Sequence, residues 1–586
     1  MVPSAAQLLS LAGLLAVALG FTLIGAALGG RDRLPEADLP VGWAVVAGLF
    51  TVAGGVLDVP LTVLAVVSLV MAGGAALVLW RRGEPPVDRG GVTVLLAMLP
   101  LLLTTASMQP SQWDEFSQWL PNARYLALFD AFPGPSHPAS DSVFPGYPPG
   151  VTVVFYLVGR LIGHFTDTVA PWFNLLLLAA SARLMVRLFR GDDTVGGGAA
   201  WGVLGVTILA TTFVPKLVLS SYADTATAVA VGFSAVLGLR LWEGGRGRAL
   251  QFALVFALLP MTKQGNFALM GLLVLALDWE SWRQGGRWRL SWAILAVALV
   301  PAVVATLAWR LHVSGSGGDM SIRAVSDWQW PLLPEILTSM RHVAAAKGGY
   351  FGLGLVMVGL AAWRRPEHRL VPLFAVVFVG YNAFLLFVYL AILGGYESAN
   401  AASFWRYNTH LGSLQMLVAA LLAGGLWRRF GGRRIGRAAM VVGGLAAVVV
   451  PFAGQKYIRF DLSPVKLHAR ATIAEMAGLL PAGARLMVID AHGTGFFSNY
   501  ANYHLGFGSH VVSSMTAFNA PAIADQVAKV KPDFIWVRTQ TPAVAAVLGQ
   551  PLDEAASHLL AREAAGWRVL KSWPYPADMD PAADKD

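Results

Sequence analysis

Residues 370–393 read LVPLFAVVFVGYNAFLLFVYLAIL, twenty-four positions without one charged side chain. As a helix this run is about 36 Å long at 1.5 Å per residue, enough to cross a hydrocarbon core of roughly 30 Å. Leu8 to Ala27 and Leu411 to Leu426 have the same character. Moving outward from these runs, further apolar segments fall near 7–29, 41–57, 59–80, 92–107, 150–164, 170–188, 199–214, 225–242, 249–262, 266–279, 291–311, 350–363, 409–427 and 437–454. The expectation is an all-α polytopic membrane bundle of about 13–15 transmembrane helices.

Composition agrees. Of 586 residues 56% are hydrophobic and 13% charged, and the mean hydropathy is +0.59. Soluble domains carry about a quarter charged residues, so a single water-soluble core does not fit. The net charge of +9 does not point to nucleic acid. Arginines cluster at 81–82, 183–190, 240–248, 283–289, 364–369 and 428–437, between the apolar runs, as cytoplasmic loops do. The intervening stretches 108–149, 215–224, 312–349 and 394–408 then face outward. One conflict arises: two crossings between 150 and 188 would put Arg187 and Arg190 outside, unless one segment is re-entrant. The chain has no cysteine, which excludes disulfides, thiolate metal sites and cysteine nucleophiles. The first apolar run lacks a basic n-region and reads as a retained helix. Glycine is abundant at 62 residues, which suits close helix packing in lipid.

The last apolar run ends near Gly454. Residues 1–455 are expected to form the transmembrane domain and 456–586 a small outward α/β domain with a disordered end from Pro576. Arg485 to Asp490 and Pro532 to Val537 read as buried strands, preceded by helical patterns at Leu467 to Leu480 and Ile523 to Val530.

Five outward stretches carry polar groups at helix ends. Trp113-Asp114-Glu115-Phe116 sets two carboxylates at a membrane edge, where charge is costly. Asp114 suits a general base, and Glu115 suits orientation or binding. Phe144-Pro145-Gly146-Tyr147-Pro148-Pro149-Gly150 fixes a helix entry and places Tyr147 at the interface. Ser220-Ser221-Tyr222-Ala223-Asp224-Thr225 starts an apolar span with a carboxylate, either a site group or a helix-terminal acid. Met261-Thr262-Lys263-Gln264-Gly265-Asn266 holds a lysine that either snorkels or meets an anion. Ser403-Phe404-Trp405-Arg406-Tyr407-Asn408-Thr409-His410 offers a planar guanidinium suited to phosphate, or an interfacial anchor. His137, Asp319, Arg323, Arg341, His342, Lys347 and Glu397 are weaker candidates.

In this order, Asp114-Glu115, Tyr147-Pro148-Pro149, Tyr222-Ala223-Asp224, Thr262-Lys263-Gln264-Gly265 and Arg406-Tyr407 resemble the GT-C class of membrane glycosyltransferases. The similarity is to the branch of protein O-mannosyltransferases and lipid A aminoarabinose transferases, over residues of about 92 to 430. It implies a polyprenyl-phosphate-linked sugar donor and a lipid, glycan or protein acceptor. It also implies an active site on the periplasmic face of a bacterial inner membrane, with no nucleic acid partner. The resemblance gives Asp114, with Glu115, the catalytic role, and Lys263 and Arg406 the donor phosphate. Tyr147, Tyr222, Asp224, Gln264 and Tyr407 would line the substrate site. No cofactor is certain; some relatives hold a divalent metal such as Mg or Mn, for which Asp114, Glu115 and Asp224 are the available oxygens. Two departures stand out: three spans precede the first large loop, where the family often has one, and the tail matches no particular relative. A transporter or flippase of a lipid-linked substrate and an O-antigen-type polymerase or ligase are the alternatives.

Overall fold

A computed structural model describes residues 3–580 except 86, 193–197, 242–244, 284–287, 315–321, 364–367, 431–432, 509 and 565. Asp319, Arg364, Arg365 and the chain end 581–586 lie outside the described residues. The fold is mostly helical with one small sheet near the C-terminus. Two compact units divide the chain. The first comprises residues 1–107, 123–138 and 146–458; the second comprises 108–122, 139–145 and 459–586.

Every apolar segment read from the sequence contains helix, yet not every one is a long helix. Among the described residues seven helices are long and apolar enough to span a membrane, eight if one bent pair counts as a span. They are Ala5–Gly29, Pro35–Gly54, Leu61–Arg82, Ala170–Arg190, Trp292–His312, Leu370–Ala391 and Phe404–Phe430. The bent pair, Val325–Ala346 with Gly348–Leu360, breaks by 97°. The chain is therefore a multi-pass membrane protein, and among the described residues seven or eight of the expected 13–15 spans meet this length and apolarity. The physical reason is length. The segment 199–214 keeps helix only over Ala199–Val206, and Thr152–Ile162 has 11 residues. Eleven residues rise about 16 Å, half the hydrocarbon thickness. Thr152–Ile162 is therefore too short to cross as a single straight helix.

In the first unit the helices pack through glycine and apolar surfaces. Helices Ala5–Gly29 and Asp38–Leu49 approach so closely that a Cβ at Gly25 would lie 2.0 Å from the Asp38 carbonyl oxygen. At Gly42 it would lie 1.8 Å from that of Phe21. Small residues are what permit such approach in lipid, where packing replaces the hydrophobic drive. Helix Asp224–Leu239 is buried along its full 16 residues. It packs against Ala170–Arg190, Arg246–Thr262 and Gly412–Phe430 at the centre of the unit. Elsewhere large apolar side chains point outward, among them Leu69, Val70, Leu96, Val441 and Leu445. Water would penalise this surface and acyl chains do not.

The second unit holds five strands in the order β2-β1-β3-β4-β5. They are β1 Leu486–Asp490, β2 Val511–Thr516, β3 Phe534–Val537, β4 Ala556–Glu563 and β5 Gly566–Pro574. β1 pairs parallel with β2 and β3; β3–β4 and β4–β5 are antiparallel. β1 is buried at all five positions, as a central parallel strand covered on both faces must be. Met487, Ile489, Ile535 and Val537 pack with Ile523, Val544 and Leu548 from helices Ala520–Val530 and Pro542–Leu548. On the alternate side Trp536 meets Phe497 of helix Phe496–Leu505. The two strands and two helices read from the sequence are present; β2, β4, β5 and helix Phe496–Leu505 are additional.

This unit is more than the tail from residue 456. Residues 108–122 and 139–145, read as part of the first outward loop, belong to it. Phe116 is 2% exposed, with its ring 4.7 Å from Tyr500, 5.5 Å from Tyr503 and 5.6 Å from His504. Arg470 donates to the Pro110 carbonyl (3.0 Å), and the Gln109 amide donates to Asp461 (3.2 Å). Burying one phenylalanine among aromatic rings contributes about 1.5–3 kcal/mol from area alone. That contribution, with the hydrogen bonds, joins the loop to the sheet-bearing unit.

Candidate functional site

Three of the five motifs converge in the first unit on one carboxylate. Asp224 opens helix Asp224–Leu239 and is 2% exposed. Arg406 donates to both its oxygens, Nε to Oδ1 at 3.2 Å and Nη2 to Oδ2 at 3.0 Å. Lys263 Nζ stands 3.6 Å from Oδ1, and His410 Nε2 lies 2.9 Å from the same oxygen. The Tyr381 hydroxyl sits 2.9 Å from His410 Nδ1. A neutral imidazole carrying its proton on Nε2 satisfies both contacts, donating to Asp224 and accepting from Tyr381. Arg406 also stacks over Tyr222 (4.2 Å), and Lys263 lies over Tyr407 (5.2 Å).

Local structure explains each placement. The side-chain amide of Asn174 donates to the Val218 and Ser220 carbonyls, both at 2.9 Å, which fixes the turn before Tyr222. Helix Arg246–Thr262 carries Pro260 in its last turn and stops at Thr262. Asn266 then donates to the Leu259 carbonyl (2.9 Å), Thr262 (3.2 Å) and Thr227 (3.0 Å), satisfying a carbonyl at the helix end. Lys263 sits in this turn with extended backbone. Arg406 lies in helix Phe404–Asn408, which starts after Ser403 in a left-handed conformation (φ 60°).

The Tyr147 and Lys263 motifs touch as well. The Gly150 amide donates to the Met261 carbonyl (2.8 Å), and Gln264 donates to the Gly146 carbonyl (3.1 Å). A Cβ at Gly150 would come within 2.4 Å of that Met261 oxygen. Gln264 therefore ties two loops together. Tyr147 is half-buried on the same loop. A cavity of about 40 Å³ lies beside Asp224, with Thr212, Thr225 and Thr409 in its wall. It has room for a few water molecules.

Asp114 and Glu115 belong to the second unit, apart from the residues of the Asp224 cluster in the division of the chain. Glu115 is 2% exposed, and its Oε2 accepts from the amides of Ser111 (2.7 Å) and Gln112 (2.9 Å). One oxygen of this carboxylate thus holds its own loop. Asp114 is half-buried and follows Trp113, whose indole donates to the Thr494 carbonyl at 3.3 Å.

Asp224, Lys263, Arg406, Tyr222 and Tyr407 are thereby brought together. Tyr381, His410, Asn174 and Asn266 were not singled out from the sequence. His410 had a signal, four residues after Arg406 and so on the same helical face. Tyr381 sits inside the charge-free run 370–393 and had none. Of the weaker candidates, His137 stands 3.7 Å from Asp58, and Lys347 lies 5.2 Å over Trp405. Among the described residues no three His, Asp or Glu side chains gather as metal ligands. Asp224 does not fit a divalent cation here, because both oxygens already accept from cationic or imidazole donors.

Searches with protein-family models and against curated proteins return no match to this chain.

Proposed function

We propose that the protein is a membrane glycosyltransferase of GT-C type that moves a sugar from a polyprenyl-phosphate donor to a lipid, glycan or protein acceptor. The observation that carries this reading is the pairing of Lys263 and Arg406 on buried Asp224. Two cations from distant parts of the chain converge on one carboxylate at turns read as outward-facing, a setting that suits an anionic ligand. A planar guanidinium fixed by a bidentate bond is pre-organised for phosphate. The arginine distribution supports an outward-facing site, which in this reading is the periplasmic face of a bacterial inner membrane.

In this reading the acceptor hydroxyl oxygen attacks the anomeric carbon and forms the new glycosidic bond. The bond from that carbon to the phosphate oxygen breaks, and its electron pair leaves with the polyprenyl phosphate. The hydroxyl proton goes to a carboxylate, the role that the resemblance gives to Asp114. Lys263 and Arg406 stabilise the charge growing on the leaving phosphate. Direct displacement inverts the anomeric centre.

The test is transfer from a labelled polyprenyl-phosphate sugar by purified protein. Arg406→Ala is expected to weaken donor binding and turnover by about 10²-fold or more, the scale of losing one charge-stabilising donor. Asp114→Asn should bind donor normally and lose turnover. Full transfer by Asp114→Asn removes the base assignment. Donor movement across vesicles without transfer would favour a flippase.

A further inference from the structure

The bent pair Val325–Ala346 with Gly348–Leu360 has two halves of different chemistry. Gly348–Leu360 carries no charged side chain, and Leu355 and Val356 are exposed on it. It packs beside the spanning helix Leu370–Ala391, so it runs within the membrane. Helix Leu333–Ala346 carries Glu335, Arg341 and His342, and Ile336 is its buried residue. Its 14 residues rise about 21 Å, short of the hydrocarbon thickness. The two halves meet at 97°, so the first does not continue the path of the second.

Contacts with the ends of spanning helices fix where this first half lies. The Arg323 amide donates to the Ala391 carbonyl (3.0 Å) and the Gln329 amide to the Leu390 carbonyl (2.9 Å), both in the last turn of Leu370–Ala391. Trp328 stacks on Trp330 (5.4 Å) and meets Phe387 of that helix edge-on (5.5 Å). Past the other end of the helix, Lys347 lies over Trp405, in the first turn of the span Phe404–Phe430. Between these anchors Ser339 donates to the Ala399 carbonyl (2.6 Å). Residues 392–403 join the two span ends, which therefore lie on one side of the membrane. A helix tied to both runs along that membrane surface.

Its side chains fit that place. Leu333, Leu337, Met340 and Ala344 recur at the spacing of one helical face, and Glu335, Thr338 and His342 form the opposite one. Leu337 is exposed, as are Ile322, Val325 and Trp330 in the segment before it. Water penalises such a surface, whereas the boundary between headgroups and acyl chains accepts it and favours tryptophan. We infer that residues 322–346 form an interfacial element whose partner is the lipid surface, with helix Leu333–Ala346 in the membrane plane and Leu337 turned to the acyl chains. The partner is lipid because this face continues into the exposed apolar surface of Gly348–Leu360. The helix also packs against Phe404–Asn408, which carries Arg406. The Asp224 cluster is thereby level with the polar heads of lipids, where an amphiphile can present its head without leaving the bilayer. The inference does not rest on the glycosyltransferase reading.

Spin labelling of the full chain in phosphatidylcholine nanodiscs tests it, since no native cysteine competes for the label. Leu337→Cys and His342→Cys, both at exposed positions, are compared with Ser136→Cys in a loop and Val441→Cys on a lipid-facing helix. An interfacial helix sinks its apolar face about 5–10 Å into the boundary, so the label at 337 should favour oxygen over a water-soluble nickel chelate by about threefold more than the label at 342. Equal values at the two positions overturn the proposal, whether they match Val441→Cys (a crossing helix) or Ser136→Cys (a helix held in water). A second measurement needs no substitution. Phosphatidylcholine with a diazirine in its acyl chain, photoactivated in the same discs, should label the tryptic peptide Ala324–Arg341 about threefold more than Thr539–Arg562 of the sheet-bearing unit. Labelling of Ala324–Arg341 at or below that of Thr539–Arg562 also overturns it.

Discussion

Asp224 is the residue on which the candidate site turns, because Arg406 and Lys263 both meet it in a place almost closed to water. Removing one partner of a buried ionic cluster leaves the others uncompensated, at a cost of about 3–5 kcal/mol. Asp224→Asn keeps the shape and removes the charge. It should therefore destabilise the protein strongly, read as a lower unfolding temperature in detergent, with Asp224→Glu closer to wild type. A variant as stable as wild type would mean that the cations find other counter-charges. The sequence exposed Asp224, Lys263 and Arg406 as separate anomalies, each with a bland alternative of its own. Capping, snorkelling and interfacial anchoring are single-residue explanations. Only distance shows that the three side chains answer one another, and Tyr381 entered by distance alone.

At the scale of elements, the loop carrying Asp114 is held by what its neighbours bury. Phe116→Ala should lower the stability of the sheet-bearing unit by about 3–5 kcal/mol. Hydrogen exchange should quicken across 109–116 in that variant, and slow exchange there would show that the backbone bonds suffice. Helix Pro464–Met476 makes a second prediction. Burial lowers the His468 imidazole below its ordinary value of 6.5, and the Arg538 charge lowers it further. The unfolded chain then takes up a proton before the folded one does. Stability is full above about pH 6.5 and declines as pH falls below it toward the folded value. Thermal unfolding measured at pH 7.5 and pH 5.5 should fall on acidification, and less so in His468→Gln. The sequence marked β1 and β3 because a parallel strand covered on both faces is a plain apolar run. It missed β2, β4 and β5, whose partly exposed faces mix polar and apolar residues.

For the whole molecule, the absence of cysteine makes orientation measurable. A single introduced cysteine is the only thiol in the chain. Ser136→Cys, exposed on the expected outer side, should react with an impermeant maleimide on intact cells. Arg246→Cys, exposed beside an arginine cluster, should react only after permeabilisation. The reverse pattern would invert the topology and, with it, the periplasmic assignment.

What the sequence alone determined is the solvent. Runs of twenty or more apolar residues cannot be repaid by a water-soluble core, and that conclusion needs no coordinates. It also located the helices of the apolar runs, since hydropathy is a local property, but not less apolar helices such as Leu333–Ala346 and Phe496–Leu505. The tertiary structure decided the rest. Helix length, and so the count of spans, depends on where turns such as that at Thr207 break an apolar run. The membership of residues 108–122 in the sheet-bearing unit depends on Phe116 meeting rings nearly four hundred positions away. The pairing of Asp224 with Arg406 spans 182 positions. Contacts of that range leave no trace in local pattern, because each side chain carries only its own chemistry and not its partner's address.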